Sequence, residues 1–210
     1  MITDCFALLD EPRRPGIDLH SLKSRFMRLS ASLHPDRFHQ AAPEEREAAS
    51  DRFTSLNAAY QTLADPKERL RHLYELETGG PPSDIQKIPP GTMDLFMEVG
   101  QSCRDVDAIL TQPSEGLSPL VKVQRIRAAR EWVGRLQTLQ SAVSGKREEW
   151  LAEMDAANAA WIAVANAVTT DDRRRRLPLD RLVEIYRGLS YVGRWTEQLQ
   201  QRIAELVGIG

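Results

Sequence analysis

The chain has 210 residues, of which 41% are hydrophobic and 28% are charged, and its formal net charge is −2. This length and apolar content suffice for one or two domains with buried cores, and the charge balance excludes a global basic field that would attract nucleic acid or an anionic membrane. The only cysteines, Cys5 and Cys103, form no C-x-x-C pair. We therefore expect no disulfide framework and no cysteine metal site, and we predict a cytoplasmic protein without a membrane segment.

A first long helix is predicted over residues 19–33. Leucine and phenylalanine side chains recur there every three or four positions, behind Asp18, a residue type that caps helices. Pro35 ends this helix at His34, because proline disfavours the helical conformation of the residue before it and has no backbone N–H to donate. A loop must follow.

Further start signals define two more N-terminal helices. Pro43 suits the first turn of a second long helix, whose apolar face should pack against the first helix. Asp65 and Pro66 predict the cap and first turn of a third helix that ends near Gly79. A short helix over residues 6–9 precedes these three, which gives a four-helix domain containing a helical hairpin.

A proline- and glycine-rich stretch marks the best domain boundary. Seven of the thirteen residues between 79 and 91 are glycine or proline, which do not favour a helix. We predict one domain over residues 1–78, a linker over 79–91 and a second domain over 92–210.

The second domain is predicted to be a three-helix bundle, and the fold class is all-α. One helix is expected over residues 93–110, and a three-four repeat of apolar residues over 182–206 predicts another. No proline interrupts residues 120–177, so this region forms either one long kinked helix or two helices broken at Ser144-Gly145-Lys146.

The tripeptide His34-Pro35-Asp36 lies in the loop after the first long helix. Alone it is a weak signal, but it ends an amphipathic helix, begins about seven residues before the next helix and follows a basic helix without acids. This arrangement resembles a J-domain, the module by which DnaJ-type co-chaperones stimulate the ATPase of a DnaK-type chaperone. The alternative is an ordinary turn beside a solvated basic face.

The resemblance extends to the HscB branch of J-proteins. Residues 33–38 and the run over 56–66, followed by Arg69 and residues 73–76, are similar to that branch. The resemblance is weakest over residues 111–180. Proteins of this branch hold the iron–sulfur scaffold IscU with a three-helix C-terminal domain.

The resemblance implies a chaperone-binding site on the loop and the basic helix. Asp36 would offer a carboxylate to an arginine of the chaperone, His34 would add a hydrogen-bonding ring, and the basic side chains would steer the helix onto an acidic surface. The implied chaperone-binding residues are His34, Pro35, Asp36, Lys23, Arg25 and Arg28.

The resemblance also places a scaffold or client site on the helix over 93–110, with an aromatic residue from the last helix. The implied contacts are Phe96, Met97 and Tyr191, although these residues could instead belong to the bundle core. The chain departs from the family pattern where a large apolar residue or acids are usual, at Gly100, Gln101, Arg104 and Ala108. These departures favour weaker scaffold binding or another client.

An enzymatic role for His34 and Asp36 as an acid–base pair is the least favoured interpretation. Adjacent residues on an exposed loop have no evident pocket and no third group to orient them. We therefore expect no enzyme activity, no cofactor and no metal, and we expect the partners to be a DnaK- or HscA-type chaperone and an IscU-like scaffold or another protein client.

Overall fold

A computed structural model describes residues 2–38, 40–83, 86–112, 118–165 and 175–209, apart from the side chains of Pro35 and Ala165. These residues contain no strand, and the predicted all-α fold is confirmed. In chain order the helices are α1 Cys5–Leu8, α2 Leu19–Leu33, the 3-10 helix Pro35–Phe38, α3 Pro43–Ala64, α4 Pro66–Thr78, α5 Met93–Leu110, α6 Pro119–Ala165 and α7 Leu179–Val207.

The chain forms two compact units, each built from two separate stretches of the sequence. The first unit comprises Met1–Ile85 and Leu151–Tyr186, and the second comprises Gln86–Trp150 and Arg187–Gly210. The second part of α6 therefore clusters with the N-terminal helices. Within the predicted linker over 79–91, residues 84 and 85 lie outside the described residues.

Side-chain caps fix the starts of α2 and α4 where the sequence predicts them. The Asp18 carboxylate accepts a hydrogen bond from the backbone N–H of His20 at 2.9 Å. The Asp65 carboxylate accepts one from the N–H of Glu68 at 2.8 Å. Because these bonds satisfy N–H groups that lack a helical partner, α2 and α4 begin at the residue after each cap.

Helices α2 and α3 form the predicted hairpin, with Phe26 stacked on Tyr60 at a ring-centroid separation of 4.3 Å. Burying an aliphatic or phenylalanine side chain contributes about 1.5–3 kcal/mol to folding relative to leaving it exposed. The buried apolar residues of this unit's N-terminal part are Phe6, Leu9, Leu22, Ala49, Leu56, Ala59, Leu63, Leu70 and Leu73.

Arg69 is buried in the first unit, with 2% of its surface exposed. Its guanidinium donates to the carbonyl of Leu63 at 2.7 Å and contacts the sulfur of Met154 at 3.7 Å. Burial lowers the pKa of Arg69 to about 10, so the group remains charged at neutral pH. The cation thus satisfies a carbonyl in the last turn of α3, where positive charge is favourable.

Part of α6 anchors the N-terminal loop of the same unit. The fully buried indole of Trp161 donates to the carbonyl of Arg13 at 2.8 Å. One turn earlier, the side-chain carbonyl of Asn158 accepts from the N–H of Gly16 at 3.0 Å. These contacts join segments far apart in sequence, which local periodicity cannot reveal.

The second unit packs α5 against parts of α6 and α7. Its buried apolar residues include Val99, Val106, Ala129, Leu136, Val143, Leu189, Val192 and Leu199. The guanidinium of Arg202 donates two hydrogen bonds to the carboxylate of Asp107, at 2.9 and 2.7 Å. Gly188 of α7 approaches the indole of Trp150 so closely that an added Cβ would lie 2.2 Å from it.

Of the two alternatives for this region, the structure shows the single long helix without a break at Ser144-Gly145-Lys146, since α6 continues through these residues. A glycine inside a helix costs only about 1 kcal/mol relative to alanine. The apolar seams on both sides of Gly145, with Val143 and Trp150 buried, offset that cost.

Candidate functional site

The tripeptide His34-Pro35-Asp36, called the HPD loop from here, lies directly after α2. His34 leaves the helical conformation, with φ −60° and ψ 131°, as expected before a proline. The 3-10 helix Pro35–Phe38 follows, and the N–H of Arg37 donates to the carbonyl of His34 at 3.0 Å. The Pro35 side chain lies outside the described part of the chain. A tight turn therefore carries the histidine and the aspartate.

Contacts on both sides orient the His34 ring. Its edge meets Phe53 of α3 at a centroid separation of 5.7 Å. Its Nδ1 accepts a hydrogen bond from the N–H of Asp36 at 3.3 Å. The Nδ1 atom also lies 3.5 Å from the Asp36 carboxylate.

The loop presents its carboxylate to solvent. The Asp36 side chain is 88% exposed and the His34 side chain is 50% exposed. A carboxylate held on a tight turn is well placed to accept paired hydrogen bonds from an arginine of another protein.

The basic residues of α2 divide into two groups. Lys23 and Arg28 are exposed, and Arg28 lies 3.9 Å from the Asp10 carboxylate. Arg25 instead lies 3.2 Å from the carboxylate of Glu11, whose side chain is only 2% exposed, and donates to the carbonyl of Asp10. Arg25 therefore stabilises the first unit as well as contributing charge to α2, and no spacing or motif in the sequence indicates this contact.

The predicted client residues lie on α5 and α7 within the second unit. Met97 is 58% exposed, and Met93, one turn earlier, is 53% exposed. Phe96 packs edge-on against Tyr191, with ring centroids 6.3 Å apart. We call Met93, Phe96 and Met97 the α5 surface.

Tyr191 supports this surface from beneath. It is 8% exposed, and its hydroxyl donates to the carbonyl of Gln86 at 2.6 Å. The guanidinium of Arg194 lies 4.4 Å from the centre of its ring. Burial and this hydrogen bond leave Tyr191 little exposed surface, and its ring packs against Phe96.

A polar row continues along α5 at the positions that depart from the family pattern. The Gln101 amide donates to the carboxylate of Asp105 at 2.7 Å, and Arg104 donates to the Gln101 carbonyl at 2.8 Å. Arg104 and Ala108 are exposed, whereas Gly100 is half-buried. The row thus presents a cation and neutral groups beside the apolar residues.

Neither a metal-ligand cluster nor a helix suited to crossing a bilayer occurs in the described ranges. No three histidine, cysteine or acidic side chains there are grouped to hold a metal ion. None of the helices in those ranges combines the length with the apolar character that a membrane span requires. Both Cys5 and Cys103 are free thiols.

Comparisons with known proteins match the N-terminal part of the chain by sequence. The family model described as DnaJ domain matches residues 8–72. A co-chaperone protein HscB homolog of Paraburkholderia phymatum is 39% identical over 71 residues, which are 34% of this chain and 41% of that protein. The co-chaperone protein HscB of Proteus mirabilis is 36% identical over 74 residues, 35% of this chain and 43% of that protein. The matches therefore span less than half of these relatives.

Solved structures match nearly the whole chain by fold. The crystal structure of human co-chaperone protein HscB aligns with a TM-score of 0.62 at 21% identity, covering 95% of this chain and 81% of the human chain. Chaperone HscB from Vibrio cholerae aligns with a TM-score of 0.60 at 20% identity, covering 97% and 99%. The chain thus carries a J-domain over residues 8–72, is homologous in sequence to HscB co-chaperones over about a third of its length, and shares the fold of HscB structures along most of its length.

Proposed function

We propose that this protein is a co-chaperone that stimulates the ATPase of a DnaK- or HscA-type chaperone through the HPD loop. The single observation that carries the proposal is the 88% exposed Asp36 carboxylate, held on a tight turn inside the segment that matches the DnaJ domain. Lys23 and Arg28 on the adjacent helix add exposed positive charge, which would speed association with an acidic surface.

The second part of the proposal is that the α5 surface binds an IscU-like iron–sulfur scaffold and delivers it to the chaperone. In this proposal, residues 1–78 act on the chaperone, residues 79–91 link the two domains, and residues 92–210 bind the client. Two exposed methionines beside Phe96 support it, since flexible thioethers suit a protein-binding surface. A cytosolic location, in which the thiols of Cys5 and Cys103 stay reduced, belongs to the same proposal.

A different client for the same surface is the alternative, and one observation favours it. Arg104 is exposed on α5 at a position where the family pattern has an acid. A cation there disfavours a basic scaffold surface, because like charges brought together by binding repel.

Single-turnover ATP hydrolysis by DnaK- and HscA-type chaperones tests the first part. The wild-type chain should accelerate hydrolysis, and Asp36→Asn should abolish the acceleration because a neutral amide cannot form the charged arginine pair. Asp51→Asn, an exposed aspartate on α3, is the matched control and should retain it. Equal acceleration by wild type and Asp36→Asn would contradict the role of the loop.

Addition of purified IscU to the same assay tests the second part. IscU should raise the stimulation further with the wild-type chain but not with Met97→Asp, which places a charge on the α5 surface. Ile162→Asp, at a residue 44% exposed on α6, is the control and should behave as the wild type. If IscU adds nothing to wild-type stimulation, the scaffold is not the client and the alternative takes its place.

A further inference from the structure

An open groove runs between α6 and the end of α7 within the second unit. Its volume is about 380 Å³, and we call it the α6–α7 groove. Ala129 and Leu206, both nearly fully buried, belong to its lining, and Val207, with 64% of its surface exposed, stands at its rim. The lining residues are Ile126, Ala129, Arg130, Val133, Leu206 and Val207.

The first turns of α6 are strongly basic, although the chain as a whole carries a charge of −2. Five cations and one acid, Glu131, lie between residues 118 and 135. The cations are Lys122, Arg125, Arg127, Arg130 and Arg135.

Two of these cations flank the groove. Arg130 is exposed and belongs to the lining, and Lys122 is exposed one turn before Ile126 on the same helix face. The others have partners in the described structure. Arg127 lies 3.4 Å from Glu131, and Arg135 stacks over Trp132 at 5.1 Å.

The groove's dimensions suit one or two aliphatic side chains. Its volume is at the lower end of the range of about 300–1,000 Å³ typical of ligand pockets. Apolar walls with cations at the edge match an amphipathic helix laid in a groove, with apolar anchors inside and acids outside. Further exposed aliphatic residues, Leu120 and Val123, extend the apolar area along α6.

Charge and surface composition distinguish among the possible occupants of the α6–α7 groove. A second copy bound by twofold symmetry would bring two basic α6 segments together, and this like-charge contact is unfavourable. A membrane needs a continuous apolar face, whereas Leu120 and Val123 share the exposed side of α6 with Arg127 and Glu131. Single-stranded nucleic acid favours stacking aromatics, and the groove is lined by aliphatic residues.

We propose that the α6–α7 groove binds an acidic amphipathic segment of a partner protein. An aliphatic side chain of the partner sits between Ile126 and Val207, and its carboxylates pair with Arg130 and Lys122. This site goes beyond the proposed co-chaperone function, because it shares no residue with the HPD loop or the α5 surface.

Fluorescence anisotropy with the full chain tests the proposal. The probe is a labelled helical peptide of about four turns, with leucine on one face and glutamate on the other. A peptide of the same pattern with lysine in place of glutamate is the reference. The wild-type chain should bind the acidic peptide and not the basic one.

Two groove variants and two matched controls test whether the acidic peptide binds in the α6–α7 groove. Arg130→Glu and Val207→Asp should each weaken acidic-peptide binding about tenfold or more, by reversing the rim charge or by placing a charge in the apolar wall. Arg147→Glu on the same helix and Ile162→Asp, both at exposed positions, should bind as the wild type. All four variants should stimulate the chaperone normally, which keeps this test separate from that of the HPD loop.

Several outcomes would overturn the proposal. It fails if the acidic peptide does not bind, or if Arg130→Glu and Val207→Asp bind it as tightly as the controls. Tighter binding to phosphatidylserine vesicles than to the peptide would assign the surface to a membrane. Wild-type dimers in sedimentation that Val207→Asp dissociates would assign it to a second copy.

Discussion

The guanidinium of Arg25 lies 3.2 Å from the carboxylate of Glu11, whose side chain is only 2% exposed. Arg25→Ala would leave that buried acid without its cation. We expect the free energy of unfolding to fall by about 1–3 kcal/mol, since removal of a partner from a buried charged group costs its desolvation. Urea denaturation of the variant checks this value.

Lys23→Ala is the matched control for Arg25→Ala. Lys23 is exposed on the same helix, so its removal should change stability by less than about 0.5 kcal/mol. If the two variants unfold at the same urea concentration, the ion pair contributes nothing to stability. In that case, a change in chaperone stimulation by Arg25→Ala cannot be attributed to a folding defect.

A pair of glycine substitutions on α7 isolates one steric contact. A Cβ at Gly188 would lie 2.2 Å from the Trp150 indole, whereas a Cβ at Gly193 meets no atom within 4 Å. Gly188→Ala should destabilise the protein by about 1–3 kcal/mol through overpacking. Gly193→Ala should stabilise it by about 0.5–1 kcal/mol, because alanine favours the helix. Thermal unfolding of both variants measures these changes, and equal shifts in Tm would refute the close contact.

The buried imidazole of His72 predicts a loss of stability in mild acid. Its Nε2 accepts a hydrogen bond from the N–H of Cys5 at 3.1 Å, and its ring stacks on Phe6 at 5.9 Å. Burial lowers the pKa of His72 in the folded protein. As the pH falls below the unfolded value of about 6.5, the unfolded state binds the proton first, so the folded state loses stability.

Urea denaturation at about pH 7.5 and about pH 5.5 measures this effect. His72→Gln retains an acceptor but does not titrate, so its stability should fall less than that of the wild type between the two pH values. An identical fall in both proteins would assign the acid sensitivity to other groups.

The charge of Arg104 should control the choice of client. Arg104→Glu places an acid where the family pattern has one, and it should tighten binding to IscU by about threefold to tenfold through charge complementarity. Calorimetric titration of the wild type and the variant with IscU measures the change. Arg147→Glu carries the same charge reversal outside the α5 surface. If both variants gain equally, net charge rather than position governs the binding.

Helix starts and ends were predictable from the sequence because their causes are local. Asp18 and Asp65 bond to N–H groups two or three residues away, and Pro35 acts on its immediate neighbour. The HPD loop was likewise identified from a short motif between two predicted helices. The sequence alone left a break at Gly145 open, because a local glycine preference is weaker than packing summed along a long helix and only the structure shows that packing.

Long-range contacts were not predictable from the same patterns. Nothing in the spacing of residues indicated that Arg25 meets Glu11, or that the Tyr191 hydroxyl reaches the carbonyl of Gln86. Both depend on side chains that the fold brings together. An aromatic or basic residue on a helix face is compatible with a surface contact and with a buried one, and only the packing distinguishes the two.

Sulfur oxidation will affect the α5 surface before it affects the fold. The thioethers of Met93 and Met97, like that of Met27 on α2, are more than half exposed, whereas Met154 is 6% exposed and packs beside Arg69. Peroxide converts an accessible thioether to a polar sulfoxide, which no longer suits an apolar interface. If the α5 surface binds the client as proposed, peroxide-treated protein should keep its helical content and its HPD loop while its affinity for the client falls. Mass spectrometry should verify that the methionines are not oxidised before binding to this protein is measured.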